Sequence, residues 1–167
     1  FTGHLSDSPT SEEIKEIRHL RQHSQIETRF CAIECLLTET DPSQIKSSVE
    51  HLKNQLTIAA ELGVQTVNLV ISKKPTIDVT EETWNQLTEA LKTLSTHAEL
   101  TKIRIALMTR GLVEEQSEEG EFYIETIMTN RESLTRLANA MPSHIGFGYE
   151  PGMFKAVNPS DLRLGLD

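Results

Sequence analysis

Two carboxylates and one strand tip are the places where this sequence could do chemistry. Glu34 lies inside an apolar run, and Glu150 follows another apolar run directly. Moving a proton on and off a carbon atom needs two opposed acid–base groups, and these two glutamates are the candidates. A third apolar segment, "KIRIALMTRG", ends in the thioether Met108. In α/β proteins reactive groups usually stand at such a strand end, so a methionine there needs an explanation.

Both glutamates also have a structural interpretation. Glu34 shares a strand face with Ala32 and Leu36, so it is either a buried carboxylate satisfied by hydrogen bonds or a catalytic base. Glu150 precedes a Pro-Gly turn, where it either accepts backbone hydrogen bonds or contacts a ligand. The sequence leaves both choices open.

Met108 and, later in the chain, Met153 are candidate substrate contacts, and so are two further residues near strand ends. Arg110 follows Met108 closely, and it either clamps an anionic substrate or pairs with Glu114. His4 lies in the weak apolar run Phe1–Leu5, and it either lines the mouth of a site or is solvated. The acidic stretch "VEEQSEEGEF" that follows Met108 predicts a solvated loop.

Composition narrows the classes of partner. The chain has 167 residues and a net charge of −9, which argues against binding to a nucleic-acid backbone. No apolar run is long enough for a bilayer, and no signal-peptide core is visible, so we expect a cytoplasmic protein without a membrane partner. Cys31 and Cys35 would lie roughly 13 Å apart on one strand, too far for a disulfide, which predicts two reduced thiols.

Hydrophobic periodicity predicts the elements that position these residues. Four segments have helical spacing and capping signals, and they run approximately over Ser11–His23, Pro42–Leu62, Glu81–Ala98 and Asn130–Ala140. Their predicted caps are Thr10 with Glu13, Asp41, Thr80 and Thr129 with Glu132, and Gly63 ends the second helix. Four apolar runs alternate with them as strands, namely Arg29–Leu37, Thr66–Ile71, Ile103–Met108 and Ile145–Tyr149.

The strand centres repeat at steps of about 36, 36 and 42 residues, a spacing that suits βα units with right-handed crossovers. The fold class is therefore α/β with a parallel sheet. Two architectures fit: part of a (β/α)₈ barrel, or an open doubly wound sheet. A complete barrel usually needs about 250 residues. We therefore expect residues 1–167 to form one α/β domain that is a fragment of a barrel.

Three segments carry a resemblance to a known family. They are "SSVEHLKNQLTIAAELGVQTVNLVI", "KIRIALMTRG" and "ESLTRLANAMPSHIGFGYEPGMF". Their order resembles the xylose isomerase-like TIM barrels, a superfamily of sugar-phosphate isomerases and epimerases related to endonuclease IV. The resemblance covers roughly Ser11 to Phe154.

The resemblance implies a divalent-metal site at the carboxyl end of the barrel, and here this sequence departs from the family pattern. A strand like "ALEN" supplies a glutamate in the family, whereas this chain has "ALMT", with Met108 at that position. A later "D-x-G-H" supplies an aspartate and a histidine, whereas this chain has Glu150 and Met153 in "EPGM". Thioethers do not replace the oxygen and nitrogen donors that such ions require.

These departures predict a barrel with a degenerate metal site. Its function would be to bind a ligand or to give structural support, rather than to catalyse a reaction. The alternative is an active sugar or sugar-phosphate isomerase or epimerase that uses Glu150 and residues outside this segment. We expect no cofactor under the first interpretation, and Mn²⁺ or Zn²⁺ only under the second. The expected partner is a small carbohydrate-like molecule, together with a second copy or the remaining barrel segments.

Overall fold

The fold is a parallel α/β sheet whose strands alternate with helices. The computed structural model describes residues 9–24, 27, 29–109, 113–117 and 120–150. In chain order the elements are α1 Ser11–Ser24, β1 Phe30–Glu34, α2 Ile45–Glu61, β2 Thr66–Val70, a 3-10 helix Thr76–Asp78, α3 Glu81–Thr101, β3 Arg104–Met108, β4 Val113–Ser117, β5 Gly120–Ile124, α4 Arg131–Ala140 and β6 Ile145–Gly148. The weak run Phe1–Leu5 lies outside the described residues.

The main sheet has the strand order β1-β2-β3-β6, and every neighbouring pair is parallel. The order follows the chain without a reversal. A doubly wound sheet reverses its strand order at a switch point, whereas a (β/α) barrel does not. The predicted parallel α/β architecture is therefore confirmed, and the described strands have the order of a barrel segment.

Helices α2, α3 and α4 bury side chains against one face of this sheet. The core on that face combines the inward residues of the two central strands with the apolar stripes of α2 and α3, and it includes Val67, Leu69, Ile105, Leu107, Leu52, Leu56, Leu87, Leu91 and Leu94. The stripe predicted for the third helix is confirmed, because Trp84, Leu87, Leu91, Leu94 and Ala98 are all buried. In α1, by contrast, no residue is buried and Leu20 is exposed.

Three of the predicted helix ends are confirmed. Thr10 and Glu13 form a reciprocal box, in which the Glu13 N–H donates to Thr10 Oγ1 at 3.2 Å and Thr10 N–H donates to Glu13 Oε2 at 2.6 Å. Thr80 Oγ1 accepts from the Thr83 N–H at 3.2 Å. Gly63 follows α2 with φ of 73°, the left-handed conformation that glycine adopts without strain.

Two predicted caps are wrong. Asp41 does not begin α2; its side chain accepts from the Ser43 N–H at 2.8 Å in a preceding turn, and the helix starts at Ile45. Asn130 rather than Thr129 caps α4, because the Asn130 side chain accepts from Ser133 at 2.8 Å. The Thr129 hydroxyl is buried instead. It accepts a hydrogen bond from the Thr126 N–H and donates one to the Thr126 carbonyl.

The acidic stretch after β3 is a hairpin rather than a loop. β4 and β5 pair antiparallel from Val113 opposite Ile124 to Ser117 opposite Gly120. The high charge concealed the strand signal in the sequence, since acidic residues are depleted in strands. The run Phe122, Tyr123 and Ile124 was the part of the signal that favoured a strand.

Cys31 and Cys35 are free thiols at the edge of the core. Burial raises the pKa of each thiol above its usual value, because the thiolate is poorly solvated there. Among the described residues, no helix combines the length and the apolar character that crossing a membrane requires.

We expect Leu91→Ala to lower the free energy of unfolding by about 2–5 kcal/mol, because the substitution leaves a cavity between α3 and the sheet. Leu91 is 2% exposed. Leu100→Ala is the matched control, since Leu100 lies on the same helix and is 77% exposed. Urea denaturation of both variants measures the difference, and equal losses would contradict the assigned core face.

Candidate functional site

The carboxyl ends of the four parallel strands meet at one edge of the sheet. This edge, which we call the mouth, carries Glu34 at the end of β1 and Met108 at the end of β3. Glu150 follows β6 at the same edge. Sites in parallel α/β proteins lie at this edge, because loops of different strands converge there.

The Met108 side chain packs over Gly148 of the neighbouring strand. The two residues are register partners between β3 and β6. A Cβ built on Gly148 would lie 2.5 Å from Met108 Sδ and 3.6 Å from Ala106 Cβ, so the thioether occupies the space of a missing side chain. This end of the sheet therefore has an apolar floor, which a flexible methionine fills well.

Thr109 ties the end of β3 to the chain that follows β6. Its hydroxyl donates to the Gly148 carbonyl at 3.2 Å and accepts from the Glu150 N–H at 2.9 Å. Its own N–H donates to the same carbonyl at 3.0 Å. Thr109 is 2% exposed, so both hydroxyl bonds are shielded from water. The backbone of Glu150 is thereby held beside the end of β3.

Glu34 is not the buried carboxylate that the sequence suggested as one alternative. Its side chain is 52% exposed and pairs with Lys73, whose Nζ lies 2.8 Å from a carboxylate oxygen. The reason is the orientation of β1, in which Cys31 and Ile33 face the helices and Glu34 faces the opposite side. Lys73 follows β2, so this ion pair spans the first two strand ends.

A second carboxylate, Glu39, was missed by the sequence analysis. Its oxygens accept from the Lys73 N–H at 2.7 Å and from the Thr38 hydroxyl at 2.5 Å. The Thr38 and Ser72 hydroxyls are 2.6 Å apart in a buried position. These contacts join the loop after β1 to the loop after β2. The only available signal was that both loops follow strands.

The candidate residues do not all come together. Glu150 and Met108 belong to neighbouring strand ends, whereas Glu34 lies at the far edge of the sheet, three strand spacings or about 14 Å away. Within this chain, the two glutamates therefore do not form an opposed acid–base pair. His4, Arg110 and Met153 lie outside the described residues.

The resemblance implies a divalent-metal ligand at position 108, where this chain has a methionine. Met108 presents a neutral, soft sulfur, and such ions prefer carboxylate oxygen and imidazole nitrogen. Glu150 is the one carboxylate that stands at an expected ligand position within the described part of that set. Over the same described ranges, no three His, Cys, Asp or Glu residues are grouped so that they could hold a metal ion.

Solved structures with the same arrangement include two that are named as sugar epimerases. A 3-keto-D-glucoside 4-epimerase from E. coli matches with a TM-score of 0.67 and 10% identity over 93% of this chain and 59% of its own. An L-ribulose 3-epimerase matches with a TM-score of 0.65 and 14% identity over 92% and 51%. A xylose isomerase domain protein from Planctomyces limnophilus matches with a TM-score of 0.60 and 14% identity over 85% and 50%.

The described chain shares the fold of about half of each of these three proteins. The chain spans about half the length of the solved structures it matches, which agrees with four strands of an eight-stranded barrel. No protein-family model and no curated protein matches the sequence.

We expect Thr109→Val to lower the free energy of unfolding by about 1–3 kcal/mol, because the Glu150 N–H and the Gly148 carbonyl lose a buried partner. Thr109→Ser keeps the hydroxyl and should stay close to the parent. Urea denaturation gives the stability, and amide exchange at Glu150 gives the local effect. If the valine and serine variants were equally stable, the hydroxyl would not hold this junction.

Proposed function

We propose that this chain is half of a xylose isomerase-like barrel whose mouth binds a small carbohydrate-like molecule without a resident divalent metal. The observation that carries the proposal is Met108. Its thioether ends β3 and packs over Gly148, at the position where the resemblance implies a metal-binding carboxylate. An ion placed there would meet sulfur instead of oxygen.

The composition of the mouth supports a sugar as the ligand class. A sugar presents hydroxyl groups at its rim and apolar C–H groups on its faces. The Met108 thioether offers an apolar surface, and the ion pair of Glu34 and Lys73 offers hydrogen-bond acceptors and donors at the same edge. Small-molecule sites typically combine a mainly apolar surface with a few placed polar groups.

A second candidate function is epimerisation without a metal, with Glu150 as one acid–base group. The names of the similar structures favour it, since two of them are sugar epimerases. This chemistry requires a second group on the opposite side of the sugar. The single chain keeps Glu34 about 14 Å from the strand that leads to Glu150, so the opposed group would have to come from elsewhere.

We expect Mn²⁺ and Zn²⁺ to leave the melting temperature unchanged within about 1 °C, because a ligand stabilises a fold only in proportion to its occupancy. Thermal unfolding with each ion from micromolar to millimolar concentration tests this. A saturable rise of several degrees, removed by Glu150→Gln, would overturn the metal-free proposal.

The triple variant Met108→Glu, Glu150→Asp, Met153→His should acquire metal-dependent stabilisation, because it restores a three-ligand set. The matched control carries Met108→Gln with the same two other changes, which differs from the test variant by one charge at one position. Stabilisation of the control equal to that of the test variant would show that position 108 does not contribute a ligand.

Sugar binding is tested with L-ribulose, the sugar named in one of the similar structures. Saturation transfer from the protein to the sugar protons should be observed in the parent and reduced in Met108→Lys, which places a charge on the apolar floor. Absence of transfer in the parent would overturn the carbohydrate proposal. Deuterium uptake at a sugar carbon in D₂O, lost in Glu150→Gln, would instead support the epimerase.

A further inference from the structure

Helix α1 carries two histidines one turn apart on its exposed surface. His19 and His23 are four positions apart in the helix, so their side chains lie on the same side of it. Their ring centroids are 4.0 Å apart, and both side chains are exposed. The same spacing holds two metal-bound histidines side by side in known helical metal motifs. The pair can therefore bind one metal ion with both rings.

The hydrogen bond of His23 leaves its other ring nitrogen available to a metal. Its Nδ1 lies 2.8 Å from the His19 carbonyl oxygen, which can only accept, so Nδ1 carries the proton and donates it. In the neutral ring Nε2 then has a free electron pair. Histidines that bind metals usually donate their second N–H to a carbonyl in this way, which holds the ring in position. Within the described residues, neither ring forms another hydrogen bond or an ion pair.

The histidine pair lies on the side of α1 that faces away from the core. An α-helix turns by about 100° per residue, so His19 and His23 stand roughly opposite Ile14 and Ile17. Those two isoleucines are half-buried and pack against the core. A metal ion can therefore reach both rings without displacing the helix.

We propose that His19 and His23 form a surface site for Ni²⁺ or Cu²⁺. Both ions accept a tetragonal set of nitrogen and oxygen ligands, which two imidazoles and water molecules can supply. Zinc sites instead use at least three protein ligands, and within the described ranges no group of three His, Cys, Asp or Glu residues could hold an ion. The site is separate from the mouth, because α1 contacts the end of α2 that leads into β2.

Metal binding should stabilise the attachment of α1 to α2. No residue of α1 is buried. Two of its arginines bond to the carboxyl end of α2: Arg18 Nε donates to the Glu61 carbonyl at 2.9 Å, and the Arg21 guanidinium donates to the Leu62 carbonyl. Cationic groups are favourable there, because the last carbonyls of a helix lack intrahelical partners. An ion that bridges the two histidines holds the turn that contains Arg21 in helical form and so supports these contacts.

The test is a calorimetric titration of the untagged 167-residue chain with Ni²⁺, which does not oxidise the free thiols as Cu²⁺ does. The parent should show a site for one Ni²⁺ per chain. His19→Gln and His23→Gln should each weaken binding at least about tenfold, because a single imidazole cannot chelate.

Two controls separate a chelating pair from histidine content alone. The variant His23→Gln with Ser24→His keeps two histidines in α1 but turns them about 140° apart, so it should bind as weakly as the single variants. His51→Gln removes an exposed histidine of α2 and should bind like the parent. Circular dichroism checks the fold of each variant.

Hydrogen exchange followed by mass spectrometry measures the effect on α1. Saturating Ni²⁺ should slow exchange of the α1 amides at least about tenfold, since the ion binds only the helical form tightly, and should leave α3 unchanged. Unchanged exchange of α1 with Ni²⁺ bound would show that the ion does not support the attachment.

The titration also has outcomes that would overturn the site itself. These are a parent that binds no Ni²⁺ at about 1 mM, and a variant His23→Gln with Ser24→His that binds like the parent. Binding that is lost in Glu150→Gln but kept in His19→Gln would place the ion at the mouth, and it would contradict the metal-free proposal as well. Failure of the histidine site alone leaves that proposal intact.

Discussion

One geometric constraint organises this protein: each crossover between consecutive parallel strands is right-handed. Because the strands follow one another in the sheet in chain order, every crossover helix is returned to the same face. That face receives the whole apolar core, from Leu52 and Leu56 on α2 to Leu91 and Leu94 on α3. The same constraint leaves the other face without a helix among the described elements. The stable core and the helix-free face therefore have one origin.

The constraint also determines where chemistry can occur. All four strands run in the same direction, so their carboxyl ends share one edge, and the residues that follow them become neighbours although they are far apart in sequence. Thr109 and Glu150, which are 41 positions apart, meet in this way through a hydrogen bond. Glu39 and Lys73 meet in the same way across the first two strands. Among the described residues, hydroxyl and carboxylate hydrogen bonds join the strand ends at the mouth, and the bond between the Thr38 and Ser72 hydroxyls is buried.

The sequence was sufficient for those features that depend on local patterns. The stripe of α3, the cap at Thr80 and the left-handed Gly63 could be predicted because each follows from spacing or from the conformational freedom of one residue. The cap of α4 could not, because the Thr129 hydroxyl is used by a tertiary turn around Thr126. The hairpin β4–β5 was missed because its high charge predicts a solvated loop, whereas backbone pairing can form in a charged segment as well.

For the candidate site, the sequence predicted which residues stand at the strand ends, but not what each of them contacts. Met108 and Glu150 could be placed by counting along apolar runs. The exposure of Glu34 could not, since a strand pattern does not say which of its two faces the helices cover. Glu39 had no local signal at all, because its partners follow a different strand and become adjacent only in the folded sheet.

The packing of Met108 over Gly148 has a consequence for how this mouth can diverge. A Cβ at position 148 would stand 2.5 Å from the Met108 sulfur, so a side chain there must first push the thioether aside. Shortening residue 108 removes that obstacle, and position 148 then becomes open to many residue types. The two positions are thus coupled through packing. Because the sulfur lies near the end of a flexible side chain, a residue at position 148 requires the thioether to rotate away rather than the backbone to move.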